Sequence, residues 1–527
     1  MKNRIYLIFF LFLSFLLITL MAILKYFSLH STFYDLGIFD YLLFYNANFN
    51  FIPPFRVHAH LFVIFYTFLY KIFPSPVLLI ICQSIAIFGA IWLIIKISKN
   101  LLNNCQLFNP ILIFLLFLLY PPIWYNCLFD FHFEHLFIFF CALFYWLILG
   151  KKSSSWIFKL IVFFVCILCC LVKEVFALSA AMMGIYVIIK KRWWITGILI
   201  VLCSLLYFLF IELYAIPYFS DGKDAASMWH GAFGYLGNNM KEILLNLLTH
   251  PWIIITETFS NWKKVFYLIA IFGPLLFIPL LAPIELLPAL PQLIISLLSH
   301  LPNHYNISNH YTAGLIVPIF VAFIIGLPKA KRIFNNFFQN EKLFLKIILF
   351  SSLLFHILLS PSPISQKFWR NEVWLYNYRA YIPTDRDNMI KKAIKKYIPK
   401  NPDISVATQN SLNWAYLAHR KHYFCFPKGV TEPAKVPDFS NKNFKQFLKH
   451  ITNSKSQTPN YKLIYADLVL LDFKRLWFIN DIGCNKWKNN QCYNKTFSQK
   501  FLNLLKETKK RYNLIYEKDG FMIFKRK

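Results

Sequence analysis

Long apolar runs broken by short polar clusters fill the first two thirds of the chain. The first run, Ile5 to Leu24, follows Met-Lys-Asn-Arg with no small-residue cleavage site behind it, so it reads as a retained span and not a removed signal peptide. Further runs long enough to cross a bilayer, or nearly so, cover 76–95, 107–122, 133–149, 156–172, 175–189, 193–213, 265–281, 284–298, 311–327 and 343–359. The pattern predicts an α-helical polytopic membrane protein with about 11 transmembrane helices. The run 284–298 is the weakest, being short, carrying Pro288 and Pro291 and starting beside Glu285. It suits a broken or re-entrant helix, and pairing it as a hairpin with 265–281 leaves the parity of crossings unchanged.

Beyond residue 360 the periodicity changes. An amphipathic helix is expected over 387–397, strands over 404–408, 422–426 and 466–473, a short helix over 411–418, and a final helix and hairpin over 497–527. Strands alternating with helices predict a small C-terminal α/β domain. The expected organisation is therefore a transmembrane domain, 1–360, followed by a soluble domain, 361–527, with no internal repeat.

Composition agrees: 58% hydrophobic and 15% charged residues leave too little polar surface to wrap soluble cores in a chain of 527 residues. Charge then orients the spans. Lys2/Arg4, Lys96/Lys99, Lys151/Lys152, Lys190 to Arg192 and Lys329 to Arg332 fall at every second connection, the pattern of cytoplasmic loops. The N-terminus is expected in the cytoplasm. The connections 25–74, 122–132, Lys173-Glu174, 214–263 and 299–310, with everything after 360, are expected outside. The formal charge of +31 points to anionic membrane lipids as partners, and not to nucleic acid, since no recognition motif accompanies it. Cys141, Cys166, Cys169, Cys170 and Cys203 lie in apolar runs and read as small hydrophobes. Cys484 and Cys492 flank a polar loop and can form a disulfide in an oxidising compartment, or stand as a local pair of thiols.

Ionisable groups near an apolar layer need a partner or a task, and most collect on the outer side. The first outer loop offers Asp35 and Asp40, then Arg56, His58 and His60. Leu36, Phe39, Leu42 and Leu43 form one face of an interfacial helix on which Asp35 reads either as an N-cap or as a functional acid. The second outer loop carries Asp130, His132, Glu134 and His135. On a helix Asp130 would pair with Glu134 and His132 with His135, giving a divalent-metal site, an acid/base set, or a self-satisfied polar plug. Lys173 and Glu174 cannot face each other as helical neighbours. Lys173 therefore meets Asp130 or Glu134 as an ion pair, or the phosphate of a ligand. His300, His304, Tyr305, His310 and Tyr311 line either a phosphate or sugar site or an aromatic belt. Phosphate loops, dinucleotide fingerprints, HExxH helices and GxSxG elbows are all missing, which disfavours ATP-driven and soluble-cofactor chemistry. Acids are scarce in the span centres, which disfavours ion-coupled transport.

In order, Tyr34-Asp-Leu-Gly-Ile-Phe-Asp, His58-Ala-His, Phe129-Asp-Phe-His-Phe-Glu, Val172-Lys-Glu, Ala282-Pro-Ile-Glu-Leu-Leu and His310-Tyr-Thr-Ala with Pro318 resemble a family of uncharacterised bacterial membrane proteins carrying a domain of unknown function. The resemblance covers about residues 30–330 and extends loosely into the tail at Ile398-Pro, Val406-Ala, Leu412, His419-Arg and Leu470-Leu-Asp. That family looks like a distant relative of the GT-C glycosyltransferases, which use lipid-phosphate-linked sugars. The resemblance implies a GT-C-like fold in the bacterial inner membrane, with the α/β domain extracytoplasmic. It also implies an acid after the first span that acts as base or orients the acceptor, the place Asp35 holds. Those enzymes often have a second acid beside the first; here Leu36 stands there and Asp40 follows five positions after Asp35. Where they carry a His-Pro-Pro segment, this chain has Ala59-His60.

Three functions follow. The first is a glycosyltransferase moving a sugar from a polyprenyl-phosphate donor to an envelope lipid, glycan or protein, with Asp35 or Asp40 as base. Arg56, His58, His60, Lys173, Glu174, His310 and Tyr311 would bind the donor phosphate or substrate. The others are a lipid or polysaccharide transporter or flippase, and a noncatalytic envelope assembly protein. No cofactor is called for beyond a divalent metal at the Asp130–His135 cluster.

Overall fold

A computed structural model describes residues 2–55, 57–102, 110–150, 153–220, 230–338, 340–370, 375–437, 461–475, 487–488, 491–492 and 495–527. Arg56 and Cys484 lie outside the described residues, as does the side chain of Cys492, and with them the expected disulfide.

The apolar runs become helices close to their expected bounds. Among the described residues five helices are long and apolar enough to cross a membrane: Ile5–Phe27, Pro76–Leu101, Trp194–Phe219, His310–Asn335 and Lys342–Leu359. The run 107–122 instead bends by 62° between Pro110–Leu118 and Pro121–Leu128. Pro121 and Pro122 cause the bend, because neither offers an amide and the residue before a proline avoids the helical region. Tyr120 accordingly has φ −85° and ψ 111°. Glu134–Gly150, Trp156–Val172 and Val175–Lys191 have 17 residues each, about 25 Å at 1.5 Å per residue.

The expectation of an uninterrupted span at 265–281 is corrected, and the weak run 284–298 is broken. The helix Trp262–Phe272 stops at Gly273-Pro274, and 3-10 turns follow at Gly273–Leu275, Ile278–Leu281 and Pro283–Ala289 before an α-helix resumes over Leu290–Leu298. Pro274, Pro279, Pro283 and Pro288 remove the amides a continuous helix would use. The carbonyls they release need other donors inside a bundle. Ser351 and Ser352, on the last span, donate to the carbonyls of Gly273 (2.8 Å) and Pro274 (2.6 Å).

The connections sort to two ends. At one, Lys190 pairs with Glu285, Lys329 donates to the Leu281 carbonyl, and Lys96 lies over Trp92 and Trp146. At the other, Lys25, residues 128–135, the Lys173-Glu174 junction and His310 come together. The last span ends there as well, since Tyr125 donates to the Leu359 carbonyl.

The C-terminal part forms a five-stranded sheet in the order Tyr423–Cys425, Val406–Thr408, Leu468–Asp472, Phe521–Arg526, Tyr512–Lys518. The first three strands are parallel, and the last two join antiparallel. The helix Asp385–Tyr397 starts on a capping box of Thr384 and Asp387 and packs Ile390 and Ile394 on the sheet. Into the same core comes Leu29 from the connection after the first span, fully buried with φ 60°. A leucine held in the left-handed region needs surroundings that fix it. Its carbonyl accepts from Arg475 Nη1 at 2.7 Å, and the Arg475 guanidinium also pairs with Asp387 and Asp472. Arg386 clamps Asp472 from the other side.

Arg475→Met strips Asp387 of its guanidinium and leaves the Leu29 carbonyl without its donor. Removing one partner of a buried ion pair costs about 3–5 kcal/mol, so the detergent-purified chain should unfold at lower temperature and be cut more readily by protease between residues 361 and 385. Unchanged melting and cleavage would show that the arginine does not hold the two parts together.

Candidate functional site

At the end of the bundle opposite Lys190–Glu285, five segments converge: the turn after the first span, the 57–62 loop, the 129–135 loop, the 173–174 junction and the approach to His310. The tightest is the 173–174 junction, where the helices on either side nearly meet. Lys173 alone takes extended angles, φ −164° and ψ 144°, between two 17-residue helices.

One chain of polar contacts starts at Lys25, buried in the last turn of the first span. Its ammonium donates to the carbonyls of Leu128 (2.8 Å) and Phe129 (3.3 Å) and pairs with Asp130 at 3.2 Å. The other Asp130 oxygen accepts from the Thr32 backbone amide at 2.8 Å and from its hydroxyl at 3.2 Å. Burial raises the Asp130 carboxyl above its ordinary value against the pull of Lys25. Thr32 also donates to Asp35 Oδ2 at 2.7 Å, and Asp35 Oδ1 meets His132 Nε2 at 3.0 Å. Asp35 is therefore not an N-cap: it sits inside a π-helical turn, Phe33–Gly37, and its carboxylate is turned to side chains and not to helix amides.

A second cluster shares His132. Its Nδ1 lies 3.7 Å from Glu134 Oε2, while Glu134 Oε1 pairs with Lys173 at 3.0 Å and approaches His310 Nε2 at 3.6 Å. The rings of His132 and His310 stack with centroids 3.5 Å apart. Beside it Glu174 accepts from the Ala59 amide at 2.8 Å and contacts His58 Nδ1 at 2.6 Å. Burial alone would raise the Glu174 carboxyl, yet His58 and Lys173 hold it below the usual carboxylate range. Burial works against the Lys173 ammonium, but Glu134 and Glu174 raise it and keep it cationic. His60 faces the Val172 carbonyl at 3.0 Å, and burial pushes it down to about 4, so it is neutral. A cavity of about 10 Å³, room for about one water, lies between Glu134, Lys173, Gln292, His310 and Tyr311.

The helical pairing expected over 130–135 is corrected. Helix begins only at Glu134, and His132 is held in the loop by its amide donating to Gln83 Oε1 at 3.1 Å. Asp130 turns to Lys25 and not to Glu134. His135 turns its ring to the His132 carbonyl and to Tyr66, 3.0 Å away. The residues that could hold a metal are thus His132, Glu134 and His310, whose donor atoms all lie within 4.8 Å of one another. Among the described residues Glu134 Oε2 has no hydrogen-bond partner, which favours a ligand there, while the Lys173 ammonium on Oε1 competes with a cation.

Asp40 is drawn elsewhere. Fully buried, it accepts from Tyr70 at 3.0 Å and meets His419 Nε2 of the C-terminal part at 2.8 Å, while that imidazole stacks on Phe44. Lys25, Thr32, Gln83 and Tyr70 are contributors that sequence reasoning passed over, and His419, quoted only for the family resemblance, was given no role. Lys25 had one signal, a lone cation closing a 20-residue apolar run, which reads equally as a snorkelling side chain.

Lys25→Met should leave Asp130 buried and uncompensated, at a cost of about 3–5 kcal/mol. Adding Asp130→Asn removes the stranded charge and should recover most of the lost melting temperature. Additive losses in the two variants would show that the pair is not coupled.

The chain belongs to the family described as predicted membrane protein (DUF2079), whose profile matches residues 25–522. No curated protein matches it. Among solved structures, the crystal structure of ArnT from Cupriavidus metallidurans bound to undecaprenyl phosphate aligns over 97% of this chain and 97% of that one. The identity is 10% and the TM-score 0.47, a likeness too low to carry any argument.

Proposed function

We propose that this member of the DUF2079 family is a membrane glycosyltransferase that moves a sugar from a polyprenyl-phosphate donor to an envelope acceptor, on the outer face of the bacterial inner membrane. The observation that carries the reading is the accessibility of Asp35. Its side chain is 19% exposed, against 4% for Asp130, 5% for Glu134, 3% for Glu174 and 0% for Asp40. Of the acids gathered at this end, Asp35 is the one a hydroxyl can approach, and the contacts from Thr32 and His132 fix its direction. A general base must lie within hydrogen-bond reach of the proton it removes.

In the reaction the acceptor oxygen forms a bond to the anomeric carbon while the bond from that carbon to the phosphate oxygen breaks, with inversion. Asp35 takes the hydroxyl proton, and the polyprenyl phosphate leaves with the bonding electrons. Lys173 supplies fixed positive charge for the departing phosphate, and His58 and His310 supply donors. Arg56 is a further candidate for the phosphate. Asp40 serves as the anchor for the C-terminal part through His419. The cation clusters at the Lys190 end support placing that end in the cytoplasm and the C-terminal domain outside.

Cells lacking the protein, complemented with wild type, Asp35→Asn or Asp40→Asn, should be compared by mass spectrometry of their lipids and glycans at matched membrane levels. Asp35→Asn is expected to reach the membrane normally yet lose one sugar modification, with turnover down about 10²-fold or more. Asp40→Asn should chiefly lower the amount of folded protein. Full restoration by Asp35→Asn would remove the base and with it the transferase.

A further inference from the structure

Away from the Asp35 cluster, and sharing no residue with it, a groove of about 460 Å³ opens between the helix Asp385–Tyr397 and the edge strand Tyr512–Lys518. Its volume lies in the range of small-ligand sites. Lys392 and Lys396, one turn apart on the helix, line one wall, and Lys518 lines the other. Asp385 is the only acid among the lining residues. None of the three lysines has an ion pair among the described residues, whereas Lys474, Lys510, Arg386 and Arg526 of the same domain all do. Three cations that share a groove with a single acid repel one another, and an anion with several oxygens relieves them together. The groove also has an aromatic side: the rings of Tyr397 and Tyr516 lie 5.0 Å apart at 40°. The Lys396 ammonium lies 5.3 Å from the centre of the Tyr397 ring, which ties the cation to the aromatic side where a glycerol or sugar unit next to the anion would sit.

Its position narrows the source of the anion. Lys391, the neighbour of Lys392, donates to the carbonyl of Phe27, the last residue of the first span. The helix therefore lies against the end of a membrane span, within reach of lipid headgroups. Residues 361–527 contain 32 Lys and Arg against 12 Asp and Glu, a surplus of 20 that attracts anionic surfaces.

We infer that the groove formed by Lys392, Lys396, Lys518, Tyr397 and Tyr516 binds a phosphate-bearing polar headgroup. The phosphate is held between the lysines of helix and strand, and the attached polyol lies on the tyrosines. Phosphate of this kind can come from a bilayer lipid or from a soluble polyol phosphate.

The test uses the full chain purified in detergent, incubated with phosphatidylglycerol or phosphatidylcholine and examined by native mass spectrometry, with glycerol 1-phosphate as soluble competitor. The comparison variant combines Lys392→Ala, Lys396→Ala and Lys518→Ala. All three are surface positions, so its melting temperature should match wild type. Wild type is expected to retain phosphatidylglycerol over phosphatidylcholine by at least about fivefold, and the variant to lose that preference. Displacement by millimolar glycerol 1-phosphate would assign the site to phosphate from either source, and resistance to it would assign the site to bilayer lipid. A variant that keeps the preference, or a wild type that discriminates neither lipid and binds no glycerol 1-phosphate, would overturn the inference.

Discussion

Carboxylates withdrawn from water at one end of a helix bundle must be met by cations or by hydrogen-bond donors, and that requirement organises this molecule. Asp130, Glu134, Glu174 and Asp40 are each nearly or fully buried. Lys25, Lys173, His58 and Tyr70 answer them in turn. The partners come from different segments of the chain, so satisfying each acid fixes one segment against another. The order of the helix ends and the geometry around Asp35 are thus one problem with one solution: Asp35 is placed by Thr32 and His132, which are themselves placed by Asp130 and Gln83.

How far the sequence could be read depended on the range of the physics involved. Apolar runs and their flanking cations are local signals, and the helices fell close to the expected bounds. The two segments with clustered prolines were legible as unusual, but which carbonyls they would free, and that Ser351 and Ser352 would meet them, depends on another span. In the tail the strands over 406–408, 423–425 and 468–472 and the helix over 385–397 follow from patterning within ten or so residues. The candidate site was legible as a set of residues and not as a geometry. Asp35, His132, Glu134, Lys173 and His310 were all singled out, yet the pairings expected within 130–135 rested on a helix assumed to begin at Asp130 when it begins at Glu134. Lys25 was missed and His419 given no role because their partners lie 105 and 379 positions away, and nothing near them in the chain reports that.

The same reasoning separates two acids that look alike in the sequence. Asp35 and Asp40 lie on consecutive turns after the first span, but one looks toward the histidine cluster and the other toward the C-terminal part. Gly37 stands between them, where a Cβ would come within 2.6 Å of Asn413 Oδ1. The missing side chain lets loop and tail approach closely at that point, while the two carboxylates, five positions apart on a helical path, serve different neighbours.

The contact between Arg475 and the Leu29 carbonyl joins residues 446 apart. Synthesis runs from the N-terminus, so the first span and its loop are made long before the arginine that fixes them. Until the final third has been made, Leu29 has no core to enter and its left-handed backbone has nothing to hold it. Contacts of such long sequence separation form late and slowly. The turn carrying Asp35 is therefore among the first parts of the protein to be built and among the last to acquire its shape, and a chain that stops short of residue 475 cannot complete it.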